Sequence, residues 1–228
     1  MTAFFRFPHT PHIAWLGDGA PRDDKVLAKS EAEVFLAHDV VIEEKVDGAN
    51  IGFSVDSDGA VKVQNRGQYL LRPFTGQFAR LNEWLAIHEE SLFEALGESL
   101  ILFGEWMAAV HSLEYQGLPD YLLVFDVYDR KERRFWSTAR RNALASKLGL
   151  RTIHQLGAGH YHLNVLKQMI ITIPSAYRDG GCEGIYLRLE NKDWLLDRAK
   201  LVHPDFVQNI GEHWRSRSLC WNVLNVGR

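Results

Sequence analysis

The feature that most restricts this chain is a series of short apolar runs, six to eight residues each, several joined in pairs by polar turns. They fall at Val40–Lys45, Asn50–Val55, Ala60–Asn65, Leu100–Trp106, Tyr121–Tyr128, Gly184–Leu189 and Trp194–Ala199. Their length and residue types mark strands rather than helices. Asp56-Ser57-Asp58-Gly59 joins the second and third runs, and Glu190-Asn191-Lys192-Asp193 joins the last two. Residues of that kind suit tight reversals, so both pairs are expected as antiparallel hairpins. Helical spacing is found at Gly76–Leu96 through Phe78, Leu81 and Leu85, at Thr138–Leu148 behind a Ser137 cap, and at Leu163–Ile171. Hairpins interleaved with separate helices predict an α+β fold, antiparallel sheets with flanking helices. No repeat, low-complexity tract or linker divides the sequence, so a single domain over 1–228 is expected.

A hydrophobic fraction of 46% with seven tryptophans supplies a core and excludes a disordered chain. The longest apolar runs, such as Leu100–Phe103 and Met169–Ile173, are far below the roughly 20 residues that span a bilayer. Arg6, Pro8 and His9 interrupt Phe4, Phe5 and Phe7 before any secretory stretch forms. No membrane partner and a cytoplasmic location are therefore expected. Cys182 and Cys220 are too few for a disulfide scaffold and are expected as reduced thiols, Cys182 as a small packing residue. His160-Tyr161-His162 lacks a third ligand nearby and is expected as a polar helix entry. A net charge of -3 argues against wholesale nucleic-acid coating but permits a local basic groove. The densest positive segment carries Arg130, Lys131, Arg133, Arg134, Arg140 and Arg141; it is expected as a solvated loop and helix start, with nucleic-acid contact as the alternative.

Chemistry concentrates at strand ends. Glu44-Lys45-Val46-Asp47-Gly48 presents an amine where an apolar run meets a glycine turn. A lysine amine attacks phosphorus once burial, a neighbouring cation or a metal releases its proton. By itself Lys-x-Asp-Gly is a common turn. The chain has no glycine-rich phosphate loop of either common kind, so any ATP is bound in another way. After Lys45 come, in order, Asn65-Arg66-Gly67, Phe103-Gly104-Glu105, Val124-Phe125-Asp126, Glu183-Gly184-Ile185 and Arg198-Ala199-Lys200.

That ordered set resembles the covalent nucleotidyltransferases, meaning DNA ligases, RNA ligases and messenger-RNA capping enzymes. The likeness runs from about Val41 to Phe206. Within that superfamily the chain is most similar to ATP-dependent RNA ligases of the phage double-strand-repairing type. Glu44-Lys45 with Asn50 five residues beyond, and Glu105 with Phe125 twenty residues later, carry this likeness.

The resemblance implies a ligase adenylation-domain fold and an ATP-dependent RNA ligase that joins 3′-hydroxyl and 5′-phosphate ends. Lys45 would carry the adenylate before it passes to the 5′ end. Arg66 would contact the nucleotide and the 5′-phosphate, Glu105 the ribose, Phe125 the adenine and Lys200 the α-phosphate. Glu183 would serve Mg²⁺, with Mn²⁺ as a substitute, and Asn50 would position the strand ends. Two cations and a metal suit a transition state that spreads negative charge over oxygens. A flat apolar ring suits a purine, and a carboxylate accepts bonds from ribose hydroxyls.

Two positions depart from the pattern. Arg198 stands where the last motif usually carries a lysine; it could hold a phosphate but is a poor general acid for pyrophosphate. Asp47 stands where the phage type often has histidine and DNA ligases have aspartate. A minimal DNA ligase, a more distant guanylyltransferase, and a non-sealing nucleotide- or RNA-end-binding relative are the alternatives. Arg178 and Asp179 are expected in a loop near the nucleotide. Only 28 residues follow Lys200, too few for a separate OB-fold or helical C-terminal domain. A catalytic domain nearly alone is expected, acting on nicked or broken RNA or RNA/DNA ends with an accessory nucleic-acid-binding protein or prearranged ends. Trp214, Trp221, Arg215 and Arg217 in the tail belong to an expected helix packed back on the domain.

Overall fold

The structure, a computed structural model, describes residues 4–18, 21, 25–208 and 218–225. In chain order its elements begin with α1 (Lys29–Leu36), β1 (Val40–Lys45), β2 (Ala49–Val55), β3 (Val61–Asn65), α2 (Leu81–Leu96), β4 (Leu100–Trp106) and β5 (Leu122–Asp129). Then follow β6 (Arg134–Phe135), α3 (Thr138–Lys147), β7 (Arg151–Thr152), β8 (Gln155–Gly159), α4 (Leu163–Thr172), β9 (Gly184–Glu190), β10 (Leu195–Val202) and α5 (Pro204–Gln208). One sheet has the order β10-β9-β1-β8, all antiparallel. The other has the order β3-β2-β4-β5-β6, also antiparallel, with β7 added parallel to β5. This is the expected α+β architecture.

Period-2 alternation gives each sheet two unlike faces. In the first sheet Val40, Ile42, Ile185, Leu187, Ala199 and Leu201 face one side and bury against α1 and α4. Glu43, Lys45, Tyr186, Arg188, Arg198 and Lys200 alternate with them along the same strands. In the second sheet Ile51, Phe53, Val61, Val63 and Leu102 pack with Leu81, Trp84, Leu85 and Leu92 of α2. Each sheet thus keeps an apolar core of its own. On the opposite faces the first sheet presents polar residues, and the second presents Ile101, Phe103, Leu123 and Phe125 along with Glu105 and Asp126.

Buried ion pairs join the two sheets. Arg141 of α3, with a fully buried side chain, donates from Nη2 to Glu43 Oε1 at 2.6 Å and from Nη1 to the Phe125 carbonyl at 2.6 Å. Arg188 of β9 donates to Asp126 Oδ1 at 2.9 Å, to the same Phe125 carbonyl at 3.2 Å and to Glu190 Oε1 at 2.6 Å. Arg198 of β10 reaches Asp126 Oδ2 at 2.6 Å. Arg141 therefore departs from the expected solvated basic run. Arg130, Lys131, Arg133 and Arg134 do sit on or near the surface, and Arg140 stacks over Trp136 at 4.2 Å and Trp194 at 4.5 Å.

Two other expectations change. The helix expected over Gly76–Leu96 is a 3-10 turn at Gly76–Phe78 followed by α2 from Leu81. Gly76 takes φ 56, and Asn82 ties the break by bonding both the amide and the carbonyl of Phe74. Instead of forming a helix, residues 218–225 return in extended form. Val110 N–H donates to Cys220 O, and Asn222 bonds Met107 O, Ala109 O and the Tyr115 amide. Trp221 packs on the core of the second sheet under the Arg80 guanidinium, at 4.7 Å. Trp214, Arg215 and Arg217 lie outside the described residues. Cys182 is buried in the first core, as expected of a packing residue, and both cysteines are free. His162 precedes α4 as its N-terminal flank, the expected helix entry. No helix among the described residues is long and apolar enough to cross a membrane.

Removing one partner from a buried ion pair leaves its counter-charge uncompensated, which costs about 3–5 kcal/mol. Arg141→Met is expected to destabilise the protein by that amount in urea unfolding, more than Arg130→Met at the surface.

Candidate active site

Lys45 ends β1 and pairs in register with Gly184, the first residue of β9. Its ammonium donates to Glu183 Oε1 at 2.5 Å. The approach depends on glycine: a Cβ at Gly184 would lie 2.7 Å from Leu201 O and 3.2 Å from Lys45 Cδ. The turn after Lys45 is equally tight. A Cβ at Gly48 would lie 2.7 Å from both Met107 Sδ and Trp106 O, and the Gly48 amide donates to Glu105 Oε1 at 3.1 Å. Glu105 in turn faces Asn50 across the β2–β4 pair.

Lys45, Gly48, Asn50 and Glu105 line a cleft of about 700 Å³ between the sheets, together with Arg66, Phe125 and Lys200. Behind it lies a narrow extension of about 60 Å³, floored by Glu43, Glu44, Asp126, Arg188 and Arg198. Several polar atoms round the cleft are buried without a partner: Thr10 Oγ1, Asn50 Oδ1, Arg66 Nε and Glu183 Oε2. Such atoms are costly to leave unsatisfied and suit a polar ligand.

Charge balance at Lys45 is set by its neighbours. Burial works to strip its proton, but Glu183, Tyr186 and Asp47 outweigh burial and hold the ammonium above its ordinary range. Burial likewise raises Glu183, against the pull of Lys45. Glu105 is pushed up to about 7 by burial, partly countered by Lys45 and the Gly48 amide. Three carboxylates, Asp47, Glu105 and Glu183, therefore crowd one lysine. Among the described residues no group of three or more His, Cys, Asp or Glu forms a ready metal cage. Magnesium binds through one or two carboxylates plus substrate phosphates, so the unpartnered Glu183 Oε2 fits one protein ligand to a nucleotide-bound cation.

The model of the RNA ligase family matches residues 38–202, most of the chain and all the strands that line this cleft. The chain belongs to the RNA ligase family. No curated relative matches it. Among solved structures it is similar to variants of Naegleria gruberi RNA ligase. One with ATP and Mn gives a TM-score of 0.56 at 18% identity, over 79% of this chain and 54% of that one. An apo variant gives 0.57 at 16%, over 81% and 54%, and one with AMP and Mn gives 0.56 at 17%, over 77% and 53%. At this identity the likeness concerns the fold, and the chain spans about half the length of those structures.

Against the pattern of ligase motifs, the structure gathers Lys45, Asn50, Arg66, Glu105, Phe125 and Lys200 on the cleft wall and Glu183 against Lys45. Arg198 is diverted. Besides its bond to Asp126, its guanidinium lies over Phe135 at 4.1 Å and Phe7 at 5.0 Å, and it lines the inner extension only. Burial lowers its pKa. Asp47 Oδ2 accepts from the Ser112 amide at 2.7 Å, and Oδ1 lies 3.9 Å from His111 Nδ1. Arg178 folds back to Gly181 O at 2.9 Å. Sequence reasoning passed over Glu43, Tyr186 and Arg188. Counting by twos from Lys45 and Gly184 would have found them, since alternate strand residues share a face.

A carboxyl whose folded pKa is raised from 4.5 to about 7 contributes stability fully below the unfolded value and loses it as pH rises through about 7. The melting temperature of the nucleotide-free protein is expected to fall between pH 5 and pH 8. Glu105→Gln should flatten that fall, read as the difference between the two melting profiles.

Proposed function

We propose that the protein is an ATP-dependent RNA ligase working through a lysyl-AMP. The single observation that supports this most is the Lys45 ammonium, 2.5 Å from Glu183, opening on a cleft shared with Arg66, Glu105, Phe125 and Lys200. The family membership and the ATP, AMP and manganese of similar ligase structures agree with it.

In the first step Lys45 Nζ attacks the α-phosphorus. An N–P bond forms, the bond to pyrophosphate breaks, and the lysine proton must leave. Glu183 already shares that proton and is the nearest acceptor, while its second oxygen, buried without a partner, would hold the cation. Divalent metal, when bound, supplies charge neutralisation at the phosphates. Lys200 and Arg66 add fixed positive charge where the phosphate oxygens carry negative charge. Phe125 offers the base a flat face and Glu105 accepts from the ribose. The adenylate then passes to a 5′-phosphate, and a 3′-hydroxyl held near Asn50 displaces AMP. RNA ends are the partners in this reading, delivered directly or by an accessory protein.

Incubation with α-labelled ATP and magnesium should label the chain. Lys45→Ala should abolish labelling, and Glu183→Ala or Lys200→Ala should slow it by roughly 10²–10³-fold, as for other lost charge-stabilising groups. A wild type that stays unlabelled overturns the ligase reading. Nicked duplexes with ribose or deoxyribose at the 3′-hydroxyl end separate an RNA ligase from a minimal DNA ligase. Labelling without sealing identifies an end-binding relative.

A further inference from the structure

The segment 4–13 precedes the residues matched by the family model, yet it crosses the cleft from one sheet to the other. At one end Phe5 stacks on Tyr128 at 3.9 Å, and Phe7 packs edge-on against Phe103 at 5.0 Å and Phe125 at 5.3 Å. In the middle the Pro8 carbonyl accepts from Arg66 Nη2 at 3.3 Å. At the other end the Lys200 amide donates to Pro11 O, and the Ile13 amide donates to Lys200 O at 2.8 Å. This strap thus touches Arg66, Phe125 and Lys200, three residues of the proposed machinery.

Thr10 lies at its centre. The residue is 4% exposed, its hydroxyl is buried without a partner, and it lines both the cleft and the inner extension. Among the described residues, Phe7, Thr10, Lys45, Glu105, Phe125 and Tyr186 alone line both compartments, so these six form the neck between them. In the reading above Glu105 bonds the ribose, and Glu105 is one of the six, so that reading sets the ribose at the neck beside Thr10.

We propose that Thr10 is a nucleotide-binding residue whose hydroxyl pairs with a ribose hydroxyl, opposite the Glu105 carboxylate. The inference rests on the ATP-dependent reading above. A threonine hydroxyl both donates and accepts, so it complements a carboxylate that only accepts. With nucleotide bound, an atom that is otherwise orphaned gains its partner, the situation in which a buried hydroxyl contributes rather than costs. A site built to bond a substrate hydroxyl also rejects the analogue that lacks it. Phe7 acts as a positioning residue by fixing the edge of the Phe125 ring.

The test compares Lys45 labelling by ATP, 2′-deoxy-ATP and 3′-deoxy-ATP in the full chain. Thr10→Val is expected to raise the KM for ATP about 3- to 10-fold, the size of one neutral hydrogen bond, with kcat nearly unchanged. It should also lessen the preference for ATP over one of the two deoxy analogues, whereas Thr10→Ser keeps both properties. The ATP-to-deoxy ratio is internal to each preparation, so it remains readable if the valine variant folds in lower yield. A valine variant with the wild-type KM and wild-type ratio overturns the role of Thr10 and leaves the ligase reading standing. An unlabelled wild type overturns both.

Discussion

The two sheets are tied to one another by a buried ionic cluster, set beside the apolar contacts that Phe103, Leu123 and Phe125 make on the inner face of the second sheet. Glu43 and Glu190 of the first sheet and Asp126 of the second are the anions; Arg141, Arg188 and Arg198 are the cations that pair with them. Burying six charges is unfavourable unless each is paired and bonded. The pairing depends on geometry from both sheets at once, since Arg188 spans Asp126 of β5 and Glu190 of its own strand. The Phe125 carbonyl takes bonds from two guanidiniums, Arg141 and Arg188. The cluster therefore fixes the backbone from which the ring of Phe125 enters the cleft.

Placement of the chemistry follows from that. Because each strand is apolar on one face, its functional residues share the other: Lys45 beside Glu43, Tyr186 beside Arg188, Lys200 beside Arg198. Moving two residues along any of these strands passes from the reactive end of the cleft to the ionic floor. Arg198 illustrates the division. One strand step from Lys200, it serves Asp126 and the aromatic rings of Phe7 and Phe135, while Lys200 stays on the cleft wall. An arginine suits the floor, since a planar guanidinium can bond a carboxylate and lie on a ring together.

The sheet strands were legible because alternation and turn residues act locally: β1 to β5 and β9 lie within one residue of where the apolar runs put them, and β10 runs three residues further, to Val202. β6, β7 and β8 were not. Two of them have two residues each, and β8 reads Gln155-Leu156-Gly157-Ala158-Gly159, with no alternation to detect. Their pairing comes from partners distant in sequence. The cleft residues were legible as an ordered series of strand ends, which is a pattern of spacing. Arg141 was misjudged for the opposite reason: its run of cations looks solvated, and only the helix phase turns that one side chain inward to Glu43. Thr10 carried no signal at all, since a lone threonine between two prolines says nothing until the fold lays it across the cleft.

If Lys45 is the nucleophile, as proposed, the electrostatics of the free site hold it in reserve. An ammonium clasped by Glu183 and flanked by Asp47 is a stable pair, and a protonated amine has no lone pair to offer phosphorus. Glu183 cannot simply be removed, because the buried ammonium would then lose its main counter-charge. In the proposed reaction the release comes with the new bond: as Lys45 Nζ closes on phosphorus the nitrogen loses basicity, and its proton passes along the existing contact to Glu183. The carboxylate that keeps Lys45 unreactive alone would then be the one that takes its proton.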